Sequence, residues 1–333
     1  MIKLNKILVC EFITGGGFCV EALPASLARE GALMRDALLR DLSTLPYAVF
    51  TTVDARLMPP AHCLSLKVRA DDDIWQLWQT QIEQADAVFL IAPETDGLLH
   101  YLTQMATLRG KLVLGCGLDA IASTSDKMAT YLALKLAGVT TIATFNAAYW
   151  IQHEALIENT TWLAKPNDGA GCEAIVCFDN AENLMHWLVQ NKKQDSHIIQ
   201  PFQVGTPASI SCLMHQGRAQ LFSCNTQIIN MENHTLSFKG VIVNGMRDYQ
   251  QPFEQIANQI AEAFPSLAGY VGIDVIVQED KVLVLEINPR LTTSYAGLRE
   301  SIGANPAELI INTLTQPDFQ WPSLQQKVVT IHV

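Results

Sequence analysis

Residues 270–290, YVGIDVIVQEDKVLVLEINPR, decide how this chain is read. Two apolar runs of strand length, YVGIDVIV and KVLVLEIN, flank the polar turn Gln278-Glu279-Asp280, which predicts an antiparallel pair. Each strand carries one carboxylate, Asp274 and Glu286. An ionised carboxylate in an apolar strand is costly unless something compensates for it. Magnesium can do so, because it takes oxygen ligands and is usually shared between carboxylates and substrate phosphates. Glu286 and Asn288 are two residues apart and so point to one face, where Asp274 from the hairpin partner can meet them. Arg290 follows with a fork of donors suited to a transferring phosphoryl group. One such carboxylate alone would read as a surface ion pair; the four residues together read as a metal and phosphoryl site.

Two stretches upstream carry the complementary chemistry. In Ala164-Lys165-Pro166-Asn167-Asp168-Gly169-Ala170-Gly171-Cys172, an apolar strand delivers a lysine and then a loop of small residues. Gly169 and Gly171 would let backbone N–H groups approach phosphate oxygens, with Lys165 as a point charge. The GxxxxGK[ST] pattern of a P-loop is absent. In His197-Ile-Ile-Gln200-Pro-Phe202-Gln-Val204-Gly205, a strand runs into an irregular segment that can present backbone groups to an adenine edge, with Phe202 and Val204 against its faces. Taken singly, both stretches are common.

Their order is not. Lys127, Lys165 with its glycine loop, the 200–204 hinge, Asp274, and then Glu286-x-Asn288-x-Arg290 together resemble the ATP-grasp superfamily over residues 112–300. The resemblance implies that Lys127 and Lys165 contact the ATP phosphates. It also implies that the hinge binds adenine and that Asp274, Glu286 and Asn288 hold one or two Mg2+ ions, with Mn2+ as a substitute. Arg290 and Lys165 then serve the phosphoryl transfer. Family members often place an acidic ribose ligand just after the hinge. Here the sequence is Gly205-Thr-Pro-Ala-Ser209, which leaves Gln200 or Ser209 as substitutes.

The expected fold is α/β, an ATP-grasp fold in three parts. Residues 1–118 would be a parallel-sheet domain of the kind that precedes ATP-grasp, 119–204 a small α+β lid ending at the hinge, and 205–333 an α+β lobe with the metal site. The first part reads as the strand Ile7-Leu8-Val9-Cys10, a turn at Thr14-Gly15-Gly16-Gly17, a helix over 24–41, and strands at 47–53, 87–92 and 111–114. The turn lacks GxGxxG spacing, which argues against a dinucleotide. A helix is expected to begin at Ser125-Asp126-Lys127 and to end at Gly138, with others at 181–190 and 253–264. The Trp75/Trp78 pair at helical spacing reads as core or interface.

Apolar residues make up 49% of the 333 and charged ones 17%, which suits large buried sheets. A net charge of −11 argues against nucleic acid. No window resembles a signal peptide or a membrane span, so a cytoplasmic protein is expected. The eight cysteines form no CxxC pair and read as reduced thiols.

Within the superfamily, Cys10-Glu11-Phe12, Ser26-Leu27-x-Arg29-Glu30-Gly31, Pro93-Glu94-Thr95-Asp96-Gly97 and Gly205-Thr206-Pro207-Ala208-Ser209 resemble the tyramine–glutamate ligase group of methanofuran- and methylofuran-type cofactor biosynthesis. That resemblance implies an amide-forming, ADP-releasing ligase whose partners are a small-molecule carboxylate and an amine, with a homodimer left open. Glu11, Glu94 and Asp96 lie at strand ends where open parallel sheets bind ligands and could hold an ammonium. For Glu94 and Asp96, capping of the next helix stands as the alternative. Gln227 lies on a strand face that could reach the phosphates or substrate, and Ser294 and Tyr295 follow Arg290. A D-alanine–D-alanine-type or glutamate-tail ligase and a non-catalytic ATP-binding regulatory protein remain as alternatives.

Overall fold

The continuous apolar run from Ile7 to Cys10 is fully buried, the pattern of a parallel strand covered on both faces. This is β1 (Lys6–Glu11), the centre of the first sheet in a computed structural model that describes residues 4–153, 160–169, 174–232 and 234–333. Around it lie β2 (Ala48–Asp54), β3 (Leu64–Val68), β4 (Ala87–Ile91) and β5 (Leu112–Val113). All are parallel, in the order β3-β2-β1-β4-β5. Helices Ala25–Leu42, Ile74–Gln84 and Leu98–Leu108 connect them. The tryptophan pair belongs to the second of these: Trp78 is buried and its indole donates to Thr52 Oγ1, while Trp75 packs edge-on against Tyr101.

The second sheet is antiparallel among the described residues and contains the rest of the strands. They are β6 (Phe145–Asn146), β7 (Trp162–Pro166), β8 (Val176–Phe178), β9 (His197–Pro201) and β10 (Thr206–His215). Then follow β11 (Arg218–Glu232), β12 (Thr235–Val243), β13 (Gly269–Val277), β14 (Val282–Asn288) and β15 (Val329–His332). The order is β14-β13-β10-β11-β12-β8-β7-β9-β6, with β15 on β12. Between β9 and β10 the chain leaves the smaller half, and among the described residues the named strands of the two halves pair only through Thr235 and Val176. This architecture is the expected ATP-grasp fold with a parallel-sheet domain before it.

Helix Gln250–Ala263 covers one face of the larger half, burying Phe253, Ile256, Ala257 and Ile260. On the other side, helices Tyr295–Ile302 and Pro306–Thr315 pack with Met34 and Leu38 of helix Ala25–Leu42, joining the two sheets through one core. Each buried Leu or Ile there contributes about 1.5–3 kcal/mol. Arg299 and Tyr295 both reach Asp41 across this joint, at 3.2 and 3.0 Å. No helix of the described residues is long and apolar enough to cross a membrane. Cys10, Cys19, Cys116, Cys177, Cys212 and Cys224 are buried free thiols.

Candidate active site

A cavity of about 810 Å3 is lined from both sheets, with Glu11 and Ile91 on one side and Lys165, Gln200, Asp274 and Glu286 on the other. Its polar floor is the β13–β14 hairpin. Asp274 lies opposite Glu286 and Gly272 opposite Asn288, with a register shift just after Asp274. Such a bulge re-aims side chains locally. The neighbours Ile273, Val275, Val284 and Ile287 are buried, so the carboxylates rise from an apolar base. Gly272 is required by the next segment: a Cβ there would lie 2.5 Å from Thr292 Cγ2.

The two carboxyls are driven apart in acidity. Burial and then the charge of Glu286 push Asp274 up to about 7. Burial also opposes charge on Glu286, but Lys127 and Lys165 outweigh it and hold that group below its usual range. Lys127 Nζ is 3.2 Å from Glu286 Oε2. Gln227 Nε2 donates to Asp274 Oδ1 at 2.9 Å, and Asn288 Nδ2 donates to Oδ2 at 3.3 Å. Among the described residues no three His, Cys, Asp or Glu side chains gather as a metal centre. A cation here would rest on the acidic pair and the Asn288 amide oxygen, keeping positions open for phosphate oxygens as magnesium does.

Lys127 opens helix Lys127–Leu136, capped by Asp126, whose carboxylate accepts from Ala129 N at 2.7 Å. The helix start is tied to the loop after β7. Lys127 N donates to Asn167 O, Met128 N to Asn167 Oδ1, and Lys127 Nζ to Gly169 O. Lys165 is buried on β7 and faces the cavity. Gly171 lies outside the described residues. At the hinge, Gln200 is buried, its Nε2 donates to Thr144 Oγ1 at 2.9 Å, and its buried Oε1 has no partner among the described residues. Phe202 packs partly buried against Leu163, Ile175 and Cys177. Val204 is 79% exposed, and its carbonyl accepts from Gln278. Ser209 sits on β10 opposite Asp274, with its Oγ accepting from Asn225 at 3.3 Å.

Residues 124–294, more than half of the chain, match the ATP-grasp domain family, and residues 47–121 match the pre ATP-grasp 3 domain. The chain belongs to the ATP-grasp family. It is 25% identical over 328 residues to the tyramine–L-glutamate ligase of Methanocaldococcus jannaschii, covering 96% of this chain and 93% of that one. The tyramine–L-glutamate ligase of Methanocaldococcus fervens is 28% identical over 250 residues, 75% of this chain and 73% of that one. Among solved structures, an ATP-grasp superfamily protein from Archaeoglobus fulgidus superposes with a TM-score of 0.71 at 23% identity, covering 98% of this chain and 99% of that one.

On the side of the cavity opposite the ATP-grasp hairpin, two of the acidic residues singled out from the sequence, Glu11 and Glu94, have protein partners for their carboxylates. Glu11 is buried, and its carboxylate accepts from Ile13 N at 3.0 Å, Thr14 N at 2.6 Å and the Thr14 hydroxyl. It thereby knits the turn Ile13–Gly17, in which Gly16 takes a φ of 111°. Glu94 caps no helix with its side chain; it forms a two-pronged ion pair with Arg290. Asp96 is exposed, with a left-handed φ of 55°, and its N–H reaches Asp168 Oδ2 at 3.3 Å. Ser294 lines the cavity within a cluster of hydroxyls, 2.9 Å from Ser211, Tyr270 and Thr292. Tyr295 is not brought to the cavity, because its hydroxyl donates to Asp41 in the core between the sheets.

Sequence reading missed the Glu94–Arg290 contact, which joins residues 196 apart, and the Thr144 partner of Gln200. It also missed the Tyr270 hydroxyl at the centre of the cluster with Ser211, Thr292 and Ser294. The run Thr292-Thr293-Ser294 just after Arg290 was the available signal for that cluster.

Proposed function

We propose that this chain is an ATP- and magnesium-dependent carboxylate–amine ligase that forms an amide through an acyl phosphate. The acid is glutamate and the amine tyramine or tyrosine, in the synthesis of a one-carbon-carrier cofactor. The observation that carries the ligase reading is the Asp274–Glu286 pair in one cavity with Lys165 and Arg290, and with Lys127 paired to Glu286. Likeness to two tyramine–L-glutamate ligases supports the substrate pair.

The residues present fit the implied groups. Asp274 and Glu286 face one another, with the lysines acting on Glu286 and amide donors on Asp274, and Asn288 adds an amide oxygen. Gln200 lines the cavity, and its buried Oε1, without a partner among the described residues, suits a ligand donor such as the exocyclic amine of adenine. Bound at Asp274, Glu286 and Asn288, magnesium would supply charge for the phosphate oxygens. Lys127 and Lys165 would hold the phosphates, in which role Lys127 gives up its contact with Glu286.

In the reaction, a carboxylate oxygen of the acid attacks the γ-phosphorus and ADP leaves. The neutral amine then attacks the acyl carbon, phosphate departs, and the nitrogen loses a proton. Arg290 offsets the charge on the transferring group, a contribution larger in a buried cleft than in water. Boundaries near residues 118 and 204 separate the substrate-side domain, the lid and the metal lobe in this scheme.

The test is incubation with ATP, magnesium, glutamate and either tyramine or tyrosine, with the amide sought by mass. Product with one amine supports the assignment. If neither yields product but D-alanine dimerises, the substrate pair is wrong and only the ligase class survives.

A further inference from the structure

Arg290 stands where two sets of anions compete for it. It follows Asn288 by two residues and senses the charges of Asp274 and Glu286. Yet its hydrogen bonds go elsewhere. Nε lies 3.0 and 3.1 Å from the two Glu94 carboxylate oxygens, Nη2 lies 3.0 Å from Oε2, and Nη1 donates to Leu291 O. Only 12% of the arginine side chain and 7% of the glutamate side chain are exposed. Taking both ions from water is costly, and geometry this close to bidentate is what offsets it.

Glu94 is itself fixed. It stands three residues beyond the end of β4, and the N–H of Gly97 donates to its carbonyl at 3.0 Å in a tight turn. Asp96 and Gly97 both take left-handed backbone there. The carboxylate therefore approaches from the first sheet while Arg290 comes from the second.

We infer that Glu94 is a positioning residue that holds the Arg290 guanidinium on the first-sheet side of the cavity, off Asp274 and Glu286. Besides Glu94, the carboxylates whose charges act on Arg290 are those two, and an arginine paired with them would neutralise the cation site internally. The Nε–Nη2 edge is taken by Glu94, which fixes the guanidinium plane and directs its remaining donors at the reacting group. This role rests on the ligase reading, in which Arg290 meets the transferring phosphoryl group.

The experiment compares wild type, Glu94→Gln, Arg290→Ala and the double variant. Glutamine keeps the size of the side chain but loses its charge and one acceptor. Expected is a fall in kcat of about 10- to 100-fold, the range for residues that orient a reacting group. KM for ATP and for both substrates should stay within about twofold. In the Arg290→Ala background, Glu94→Gln should have no further effect, because it acts only through the arginine. A raised KM for the amine with kcat kept would make Glu94 an ammonium ligand and overturn the proposal. Additive losses, or a lowered melting temperature with unchanged kcat, would also overturn it.

A binding arm keeps this separate from the ligase reading. If wild type releases no ADP with any carboxylate, that reading fails, and binding of ADP, magnesium and aluminium fluoride decides Glu94 alone. The proposal expects Glu94→Gln to weaken that mimic about tenfold while leaving magnesium–ADP within about twofold. Equal affinities of wild type and Glu94→Gln for the mimic would contradict it.

Discussion

A pair of buried carboxylates, Glu11 and Glu94, and a pair of part-buried ones, Asp274 and Glu286, lie on two sides of one cavity, and they differ in what surrounds them. On the first-sheet side, Glu11 accepts two backbone N–H groups and a hydroxyl, and Glu94 holds a guanidinium. On the hairpin side, Asp274 and Glu286 face each other, and the donors around them are two lysines and two amides. Burial of a carboxylate is thus not a ligand signal by itself. The signal is a shortage of fixed donors, as at Asp274, whose burial and like-charged neighbour push its carboxyl up. The first pair organises the protein; the second, in the proposed function, is arranged for something that is not protein.

Breaking each side should therefore fail differently. Asp274→Asn or Glu286→Gln should cut turnover by at least about 100-fold while the melting temperature moves by only a few degrees. Steady-state ADP release beside a thermal melt reads both quantities. Wild-type-like ATP consumption in either variant would remove that residue from the site. Lys165→Ala should weaken ATP binding by about 10- to 100-fold, the value of a charge-assisted hydrogen bond to phosphate, as read by calorimetry. Glu11→Ala should act the other way round. It leaves the N–H groups of Ile13 and Thr14 without their buried acceptor and should cost about 3 kcal/mol of stability in denaturant unfolding. If it instead left stability unchanged and raised KM for the amine, Glu11 would belong to the substrate site.

The hairpin was legible because its chemistry is local. Strand period and spacing alone put Glu286 and Asn288 on one face with Asp274 opposite. The central strand and the helices at 127–136 and 181–190 were legible for the same reason, an apolar run or stripe with a cap. Leu64–Val68 was missed because an edge strand with Leu64 80% exposed has no apolar run to display. Thr235–Val243 was hidden by Lys239-Gly240 in its middle. There the backbone of β15 comes so close that a Cβ at Gly240 would lie 2.2 Å from Ile331 O. Helix Ala147–His153 was also missed, being too short to show a period.

At the site, whatever depended on pairing across the two sheets was out of reach. No spacing rule links Glu94 to Arg290 or Tyr295 to Asp41, so Glu94 read as a ligand group and Tyr295 as a neighbour of the reacting carboxylate.

The central claim is that the hairpin pair holds a divalent cation for a phosphorylated ligand. The most direct test is titration of Mn2+ against the protein with ADP present, followed by the loss of the free-ion electron paramagnetic resonance signal. Wild type should bind saturably, and Glu286→Gln and Asp274→Asn should each weaken binding at least about tenfold. Equal Mn2+ affinity in wild type and both variants would contradict the account.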